Sequence, residues 1–382
     1  MMFFFRSLLM LLCIAPASFS HAQITFRVTG LPDSHPENAP VYVAGNFNGW
    51  QPGLEAYQLQ LQDDGSLALT ITPEGAGTLL FKFTRGSWNA EELDAQMEVM
   101  SNREWRPKPG DAQDFQIAGW KDLDSDLVAM GSTASERVQI WKEDLMMGSL
   151  GRTRRIWIYL PQGYEEGIQR YPVLYLHDGQ NVFDAETSYA GEWGVDEMLD
   201  SLGLPIIAVG IDNGGEKRVD EYTPYFNEER AGGGEGSAYV DFIVKELKPM
   251  IDAEFRTLTD AKHTGIMGSS LGSLISLHAA TRYPGVFSRL GLFSSALWIN
   301  RLEMKDEVAE YAPEIPVRAY ILIGGREGPF MVGDSEGLKN DLEATPNVTA
   351  KYLMVPEGDH SEKFWREHLL GSLQFLYPEY FQ

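Results

Sequence analysis

From Glu136 to the end of the chain, short runs of almost unbroken apolar residues recur with longer mixed stretches between them. The runs are Arg155–Leu160, Val173–His177, Pro205–Ile211, His263–Gly268, Leu290–Ser294, Arg318–Ile323 and Ala350–Val355. Runs this short and this apolar read as strands buried on both faces, because a strand with one wet face would alternate. The stretches Tyr239–Phe255, Leu271–Tyr283 and Lys363–Leu376 carry helical periodicity instead. Apolar strands with helical crossovers predict a mostly parallel sheet with helices on both faces. No Gly-x-Gly-x-x-Gly opens a helix after the first strand, and no phosphate loop ends in Gly-Lys-Ser/Thr, so a nucleotide-binding version has no support.

Residues 23–118 follow a different rule. Candidate strands at Thr25–Thr29, Val41–Ala44, Tyr57–Leu61, Leu67–Ile71 and Thr78–Thr84 are separated by Gly, Pro, Asn and Asp clusters, with no amphipathic helix between them. That pattern predicts a small all-β, antiparallel sandwich. Residues 119–135 are polar, acidic and aperiodic, and read as a linker to the α/β unit at 136–382. Residues 1–22 place one cation, Arg6, before an apolar run and small residues ending Ser20-His21-Ala22, the pattern of a secretory signal cleaved before Gln23. The apolar run is too short to span about 30 Å of hydrocarbon. Export to the periplasm or beyond is therefore expected. The single cysteine, Cys13, falls in that leader, so the mature chain has no disulfide and no thiolate nucleophile or metal ligand. Lys and Arg number 31 against 55 Asp and Glu, a net charge of −24, which repels nucleic acid and anionic membranes and suits a neutral small-molecule or polysaccharide-linked substrate.

Gly268-Ser269-Ser270-Leu271-Gly272 sits directly between a strand and a helix. A serine there occupies a tight turn, needs small residues two before and two after it, and stands at a helix N-terminus that favours negative charge. Ser270 is the candidate nucleophile, with Ser269 its neighbour. A serine needs a base, and only His278, His360 and His368 follow it. His278 and His368 lie within helical stretches, whereas His360 lies in a loop after the last strand; His360 is the candidate base. Glu327, four residues past the preceding strand, is the candidate acid that orients it, with Asp334 the runner-up. Two backbone donors should stabilise an oxyanion: the amide of Leu271, and one from the loop His177-Asp178-Gly179-Gln180-Asn181, where Gln180 is favoured over Gly179 and Asn181. His177 and Asp178 lack the further ligands of a metal site and read as loop architecture. No cofactor is required.

Taken together, Tyr171–Asn181, Gly210–Asn213, Arg218–Pro224, Gly268–Gly272, Ser294–Trp298 and Gly358–His360 resemble the esterase family of α/β hydrolases that includes feruloyl, acetylxylan and enterochelin esterases. The resemblance implies an α/β-hydrolase fold, a serine carboxylesterase mechanism, and Trp298, Arg218 and Asn181 near the substrate. Glu327 departs from the Asp that many relatives carry. In the front unit, Val41–Trp50, Phe81–Trp88 and Ser101–Arg103 resemble starch- and glycogen-binding modules of immunoglobulin-like fold, which implies sugar contacts at Trp50, Trp88, Lys82 and Asn102. In the contrary reading these residues pack within an accessory spacer. The leading expectation is an exported esterase acting on acetyl or feruloyl groups of carbohydrate. A periplasmic siderophore-trilactone esterase and a non-catalytic carbohydrate-binding protein on a hydrolase scaffold are the alternatives.

Overall fold

A computed structural model describes residues 23–48, 50–73, 78–97, 100, 102–124, 132–188, 191–228 and 232–381. The expected leader at 1–22 and the 125–131 part of the expected linker lie outside the described residues.

Among the described residues, the front of the chain has nine short strands: β1 Ile24–Gly30, β2 Tyr42–Gly45, β3 Gln60–Leu61, β4 Leu67–Ile71, β5 Leu79–Thr84, β6 Glu92–Leu93, β7 Arg103–Trp105, β8 Ala112–Gln116 and β9 Gly119–Trp120. They form a four-stranded sheet β3-β4-β1-β8, a three-stranded sheet β2-β5-β7 and a β6-β9 pair. All pairings are antiparallel except β1 with β8. Phe26 of β1, Val43 of β2, Phe81 and Phe83 of β5, Trp105 of β7 and Phe115 of β8 share one apolar core. Phe26 meets Phe81 edge-on at 4.9 Å and Trp105 at 5.1 Å, the arrangement aromatic quadrupoles favour. The boundary expected at residue 118 moves outward. Gly119–Trp120 pairs with Glu92–Leu93, and Trp120 is fully buried in that core with its indole N–H donating to His35 Nδ1 at 2.9 Å. A two-residue strand has too little periodicity to show in the sequence.

The rest of the chain forms an eight-stranded sheet in the order β10-β11-β13-β12-β16-β17-β18-β19. Its strands are β10 Val138–Met147, β11 Arg152–Tyr159, β12 Val173–His177, β13 Ile207–Ile211, β16 Thr264–Ser269, β17 Arg289–Phe293, β18 Val317–Gly324 and β19 Val348–Val355. A small ribbon, β14 Phe226–Asn227 with β15 Gly232–Gly233, lies apart from it. β10, β11 and β13 pair antiparallel, and every other pairing in the large sheet is parallel. The helices are α1 Val195–Leu202, α2 Arg218–Tyr222, α3 Gly236–Phe242, α4 Lys248–Glu254, α5 Leu271–Arg282, α6 Arg301–Glu310, α7 Pro329–Ala344 and α8 Glu362–Leu376. The single helix expected at Tyr239–Phe255 is α3 and α4 joined through a π-helical segment, Ile243–Leu247.

Alternate residues of one strand feed opposite cores, as the apolar runs require. Val173 and Tyr175 of β12 pack with α3 and α5, whereas Leu174 and Leu176 pack with α1 and α8. Both faces of the sheet are thereby covered, and function is pushed to its edge. Parallel strands all end on the same side, so the loops after β12, β16, β17, β18 and β19 converge there. Among the described residues, no helix is long and apolar enough to cross a membrane.

Trp120→Ala removes a fully buried tryptophan from the front core and should cost about 3–5 kcal/mol. Urea denaturation of the two proteins measures it; a loss under about 1 kcal/mol would place Trp120 outside that core.

Candidate active site

β16 runs fully buried to Ser269, and the chain then turns into α5 through Ser270. Ser270 has φ 56° and ψ −120°, a conformation that non-glycine residues avoid and that costs about 1–3 kcal/mol. The turn is pinned by three backbone bonds: Ser270 N donates to Phe293 O at 2.9 Å, and Ser270 O accepts from Leu274 N and Ala296 N, each at 3.1 Å. Gly268 is sterically required, and Gly272 sits in a tight spot. A Cβ on Gly268 would lie 2.7 Å from the carbonyl carbon of Gly272, and one on Gly272 would press on His177 Cβ at 3.2 Å. Ser269 is buried at the strand end, while Ser270 is half-buried at the mouth of the turn. Leu271 is the first residue of α5, so its N–H has no acceptor within the helix.

Beyond β17, in the loops after β18 and β19, His360 Nδ1 lies 2.7 Å from Glu327 Oε2. A carboxylate oxygen accepts, so in this contact Nδ1 is the donor. Glu327 follows β18 and is 5% exposed; its Oε1 accepts from Ser294 Oγ at 2.6 Å and from Gly324 N at 2.8 Å. Ser294 Oγ in turn accepts from Trp365 Nε1 at 2.8 Å, and the Trp365 ring meets His360 edge-on with centroids 5.1 Å apart. The loops after β18 and β19 come so close that a Cβ on Gly324 would stand 2.4 Å from the backbone of Gly358. The runner-up acid, Asp334, lies on α7 and binds Arg301 at 2.7 Å. His278 is held by Glu307 and Ser237, and His368 by the carbonyl of Phe364. Among the described residues no hydrogen bond joins Ser270 Oγ to His360. Such bonds are often long until substrate closes the site.

The loop after β12 touches the elbow, since Asp178 Oδ2 lies 3.4 Å from where a Gly272 Cβ would be. Asp178 sits at φ 55° and clamps Arg218 through two bonds of 2.6 and 2.8 Å, and Asn213 Nδ2 at 2.7 Å. Burial opposes its charge, yet the Arg218 guanidinium and these hydrogen bonds hold the Asp178 carboxyl below its usual range. Arg218, expected near the substrate, spends its guanidinium on bracing this loop. Burial pushes the His177 imidazole down to about 3, so it stays neutral against Tyr239. Gln180 Oε1 accepts from Asn213 N at 3.1 Å, while its buried Nε2 has no partner among the described residues. Asn181 Nδ2 donates to Glu362 Oε1 at 3.4 Å. Trp298 lies on the turn Leu297–Ile299, two residues past Ala296 and 36% exposed.

The front-unit residues divide. Trp50 and Trp88 pair with ring centroids 6.3 Å apart and stay half-exposed. Lys82, expected on a sugar-facing patch, is buried with Nζ 2.7 Å from Glu91 Oε2, because an unpaired buried ammonium would be far costlier. Asn102 faces the loops of Glu327 and His360 rather than a free surface. Sequence reasoning assigned no role to Ser294, Trp365 or Glu362. A hydroxyl, an indole and a carboxyl scattered over the chain carry no spacing signal, and only the fold brings them to one place.

A model of the family described as "Putative esterase" matches residues 148–376. The uncharacterized protein YbbA of Bacillus subtilis is 28% identical over 251 residues, 61% of this chain and 97% of that one. An endo-1,4-beta-xylanase/feruloyl esterase of Xylanibacter ruminicola is 26% identical over 256 residues, 63% of this chain but only 31% of that protein. The enterobactin esterase of Shigella flexneri, solved in the presence of enterobactin, has a similar fold over 94% of this chain and 92% of its own, with a TM-score of 0.55 at 15% identity.

Burial pushes the Glu362 carboxyl up to about 7, against the pull of Lys82 and His360 and with the push of Glu91; Lys121 and Arg218 also face it. The folded carboxyl therefore keeps its proton where the unfolded one has lost it, and stability falls as pH rises from about 4.5 to about 7 and then levels off. Melting curves across that range should show Glu362→Gln gaining on the wild type as pH rises. Parallel curves would contradict the placement.

Proposed function

The chain belongs to the putative-esterase family and is a carboxylic ester hydrolase, and from that premise we propose that it is an exported serine esterase working through Ser270, His360 and Glu327. His360 Nε2 takes the Ser270 proton as Oγ adds to the ester carbonyl. The negative oxygen that forms is held by the N–H groups of Leu271 and Gln180, fixed donors that need no reorganisation as charge develops. The imidazolium then passes its proton to the departing alcohol, leaving an acyl-serine. Water, deprotonated by His360, attacks that acyl-serine; collapse releases the carboxylic acid and restores the Ser270 hydroxyl. Glu327 fixes the imidazole tautomer and stabilises the imidazolium without itself taking the proton. The reading rests above all on the 2.7 Å His360–Glu327 contact, held at the same sheet edge as the strained Ser270 turn.

The substrate we assign is an acyl group, acetyl or feruloyl, on a carbohydrate. Support comes from the xylanase/feruloyl esterase relative, from the front unit read as an immunoglobulin-like sugar module with the Trp50–Trp88 pair as its contact, and from a net charge of −24 that suits a neutral glycan. A second reading, hydrolysis of a siderophore trilactone in the periplasm, is favoured by the likeness in fold to the enterobactin esterase, which extends over both units.

Release of p-nitrophenol from acetate and butyrate esters tests the mechanism. Ser270→Ala should lower kcat by about 10³-fold or more, and Glu327→Gln by about 10²–10⁴-fold, each with its fold intact. Undiminished turnover in Ser270→Ala would refute the serine mechanism. Acetylated or feruloylated xylan against a catecholate trilactone then separates the two substrates by kcat/KM.

A further inference from the structure

Aromatic rings in this chain are buried or half-buried almost everywhere. Among the described residues, four are more than a third exposed: Tyr225, Phe226, Trp298 and Phe330. They come from three segments of the hydrolase unit, and the fold ties all three to the nucleophile. Trp298 stands on the turn Leu297–Ile299, and just before that turn Ala296 N donates to Ser270 O at 3.1 Å. The segment with Tyr225 and Phe226 is stapled to the same turn. Asn227 Nδ2 donates to Ile299 O at 2.7 Å, and the Asn300 side chain bonds both the N–H and the carbonyl of Tyr225. Tyr225 spends its hydroxyl on Glu307 at 2.6 Å.

Phe330 opens α7, and Asp334 and Leu338 follow it at four-residue steps on one helix face. That face is turned to the Trp298 segment: Asp334 binds Arg301, and Leu338 shares a core with Leu297 and Ile299. Phe330 continues the stripe toward the carboxyl edge of the sheet, three residues past Glu327, where it is 77% exposed. Solvent-facing rings gathered beside a reactive serine form the kind of apolar patch that marks a binding surface.

Sheet order gives this shelf a side of the ester. β12 and β17 flank β16 on opposite sides, so the loop after β12 and the Trp298 turn flank the Ser270 elbow. The sheet also separates the shelf from the base. Trp365, whose ring meets His360, belongs to the core on one face, while Leu297, Ile299 and Leu338 belong to the core on the other. A tetrahedral carbon on Ser270 Oγ turns its oxyanion to the donors of Leu271 and the loop after β12, and its alcohol to His360. Its acyl substituent takes the remaining side, which is the shelf. A methyl group covers little of these rings, whereas a planar ring stacks on them and removes far more apolar area from water.

We infer that Phe226, Trp298 and Phe330 form the acyl side of the ester site and select a ring-bearing acyl group over acetyl. The inference rests on the serine-esterase reading above and narrows its acyl group, whether a sugar or a trilactone carries the ring.

The test holds the alcohol constant and changes the acyl group: p-nitrophenyl hydrocinnamate against p-nitrophenyl acetate, on the full chain. Neither carbonyl is conjugated, so the two differ chiefly in the ring. The wild type should favour the hydrocinnamate in kcat/KM. Phe330→Ser and Trp298→Ala should each lower kcat/KM for it about tenfold, mainly through KM, with a much smaller loss on the acetate. Phe330→Leu should recover part of the loss. Phe330 is a surface residue, so an unchanged melting temperature in Phe330→Ser shows that the fold is intact. Equal losses on both esters would mean that the shelf borders the alcohol or only props the Ser270 turn, and would overturn the inference. So would a wild type that favours the acetate, or variants with unchanged hydrocinnamate kinetics. A feruloylated xylo-oligosaccharide and a catecholate trilactone then show which source supplies the ring: Phe330→Ser should slow whichever the wild type cleaves, and no loss on it would contradict the assignment. Ser270→Ala is run alongside: if it retains turnover, the serine mechanism itself fails, a result distinct from any failure at Phe330 or Trp298.

Discussion

Glu327 carries a carboxylate to a position almost closed to water, and that is tolerable only where donors converge on it. Three do: Gly324 N and Ser294 Oγ on one oxygen, and His360 Nδ1 on the other. They come from the carboxyl ends of β18 and β17 and from the loop after β19. A single buried charge thus ties three neighbouring loops into one fixed geometry. Ser294 also receives the indole N–H of Trp365 on α8, so the helix that follows His360 is fastened to the same point. The backbone of Ser294 accordingly adopts φ 48°, a strain accepted where the network over-determines it.

A second set of buried charges lies where the two units meet. Lys82 is neutralised by Glu91, Arg103 by Glu92, and Glu362 stands between these pairs and the loop of His360. Charges removed from water and paired this way add little net stability, but separating them leaves uncompensated ions. Both pairs lie within the front unit, so they fix the face it turns toward the hydrolase loops rather than bridge the two units. On the opposite flank, Asp178 and Arg218 do the same for the loop after β12, joining it to α2.

Legibility in the sequence followed how local each cause was. The elbow could be read because its main reason is steric and lies within five residues: a Cβ on Gly268 would run into the backbone of Gly272. The parallel strands could be read because burial on both faces erases polar alternation. β10 escaped, since Val138–Met147 is half-wet and charged, an edge hairpin arm whose partner rather than composition makes it a strand. β7, β8 and β9 escaped for the same reason. Side-chain partners were least legible. Lys82 was expected to meet a sugar and Arg218 to lie near the substrate, and each is bound by an acid that sequence pattern does not pair with it: Glu91 across the β5–β6 connection, and Asp178 forty residues earlier.

The central claim is that Ser270, and no neighbouring hydroxyl, is made nucleophilic by His360. Labelling with a fluorophosphonate, followed by peptide mass spectrometry, tests it directly. The adduct should fall on Ser270 within Gly268–Gly272, and it should form far more slowly in His360→Ala. An adduct on Ser269, or labelling at an equal rate without His360, would contradict the assignment.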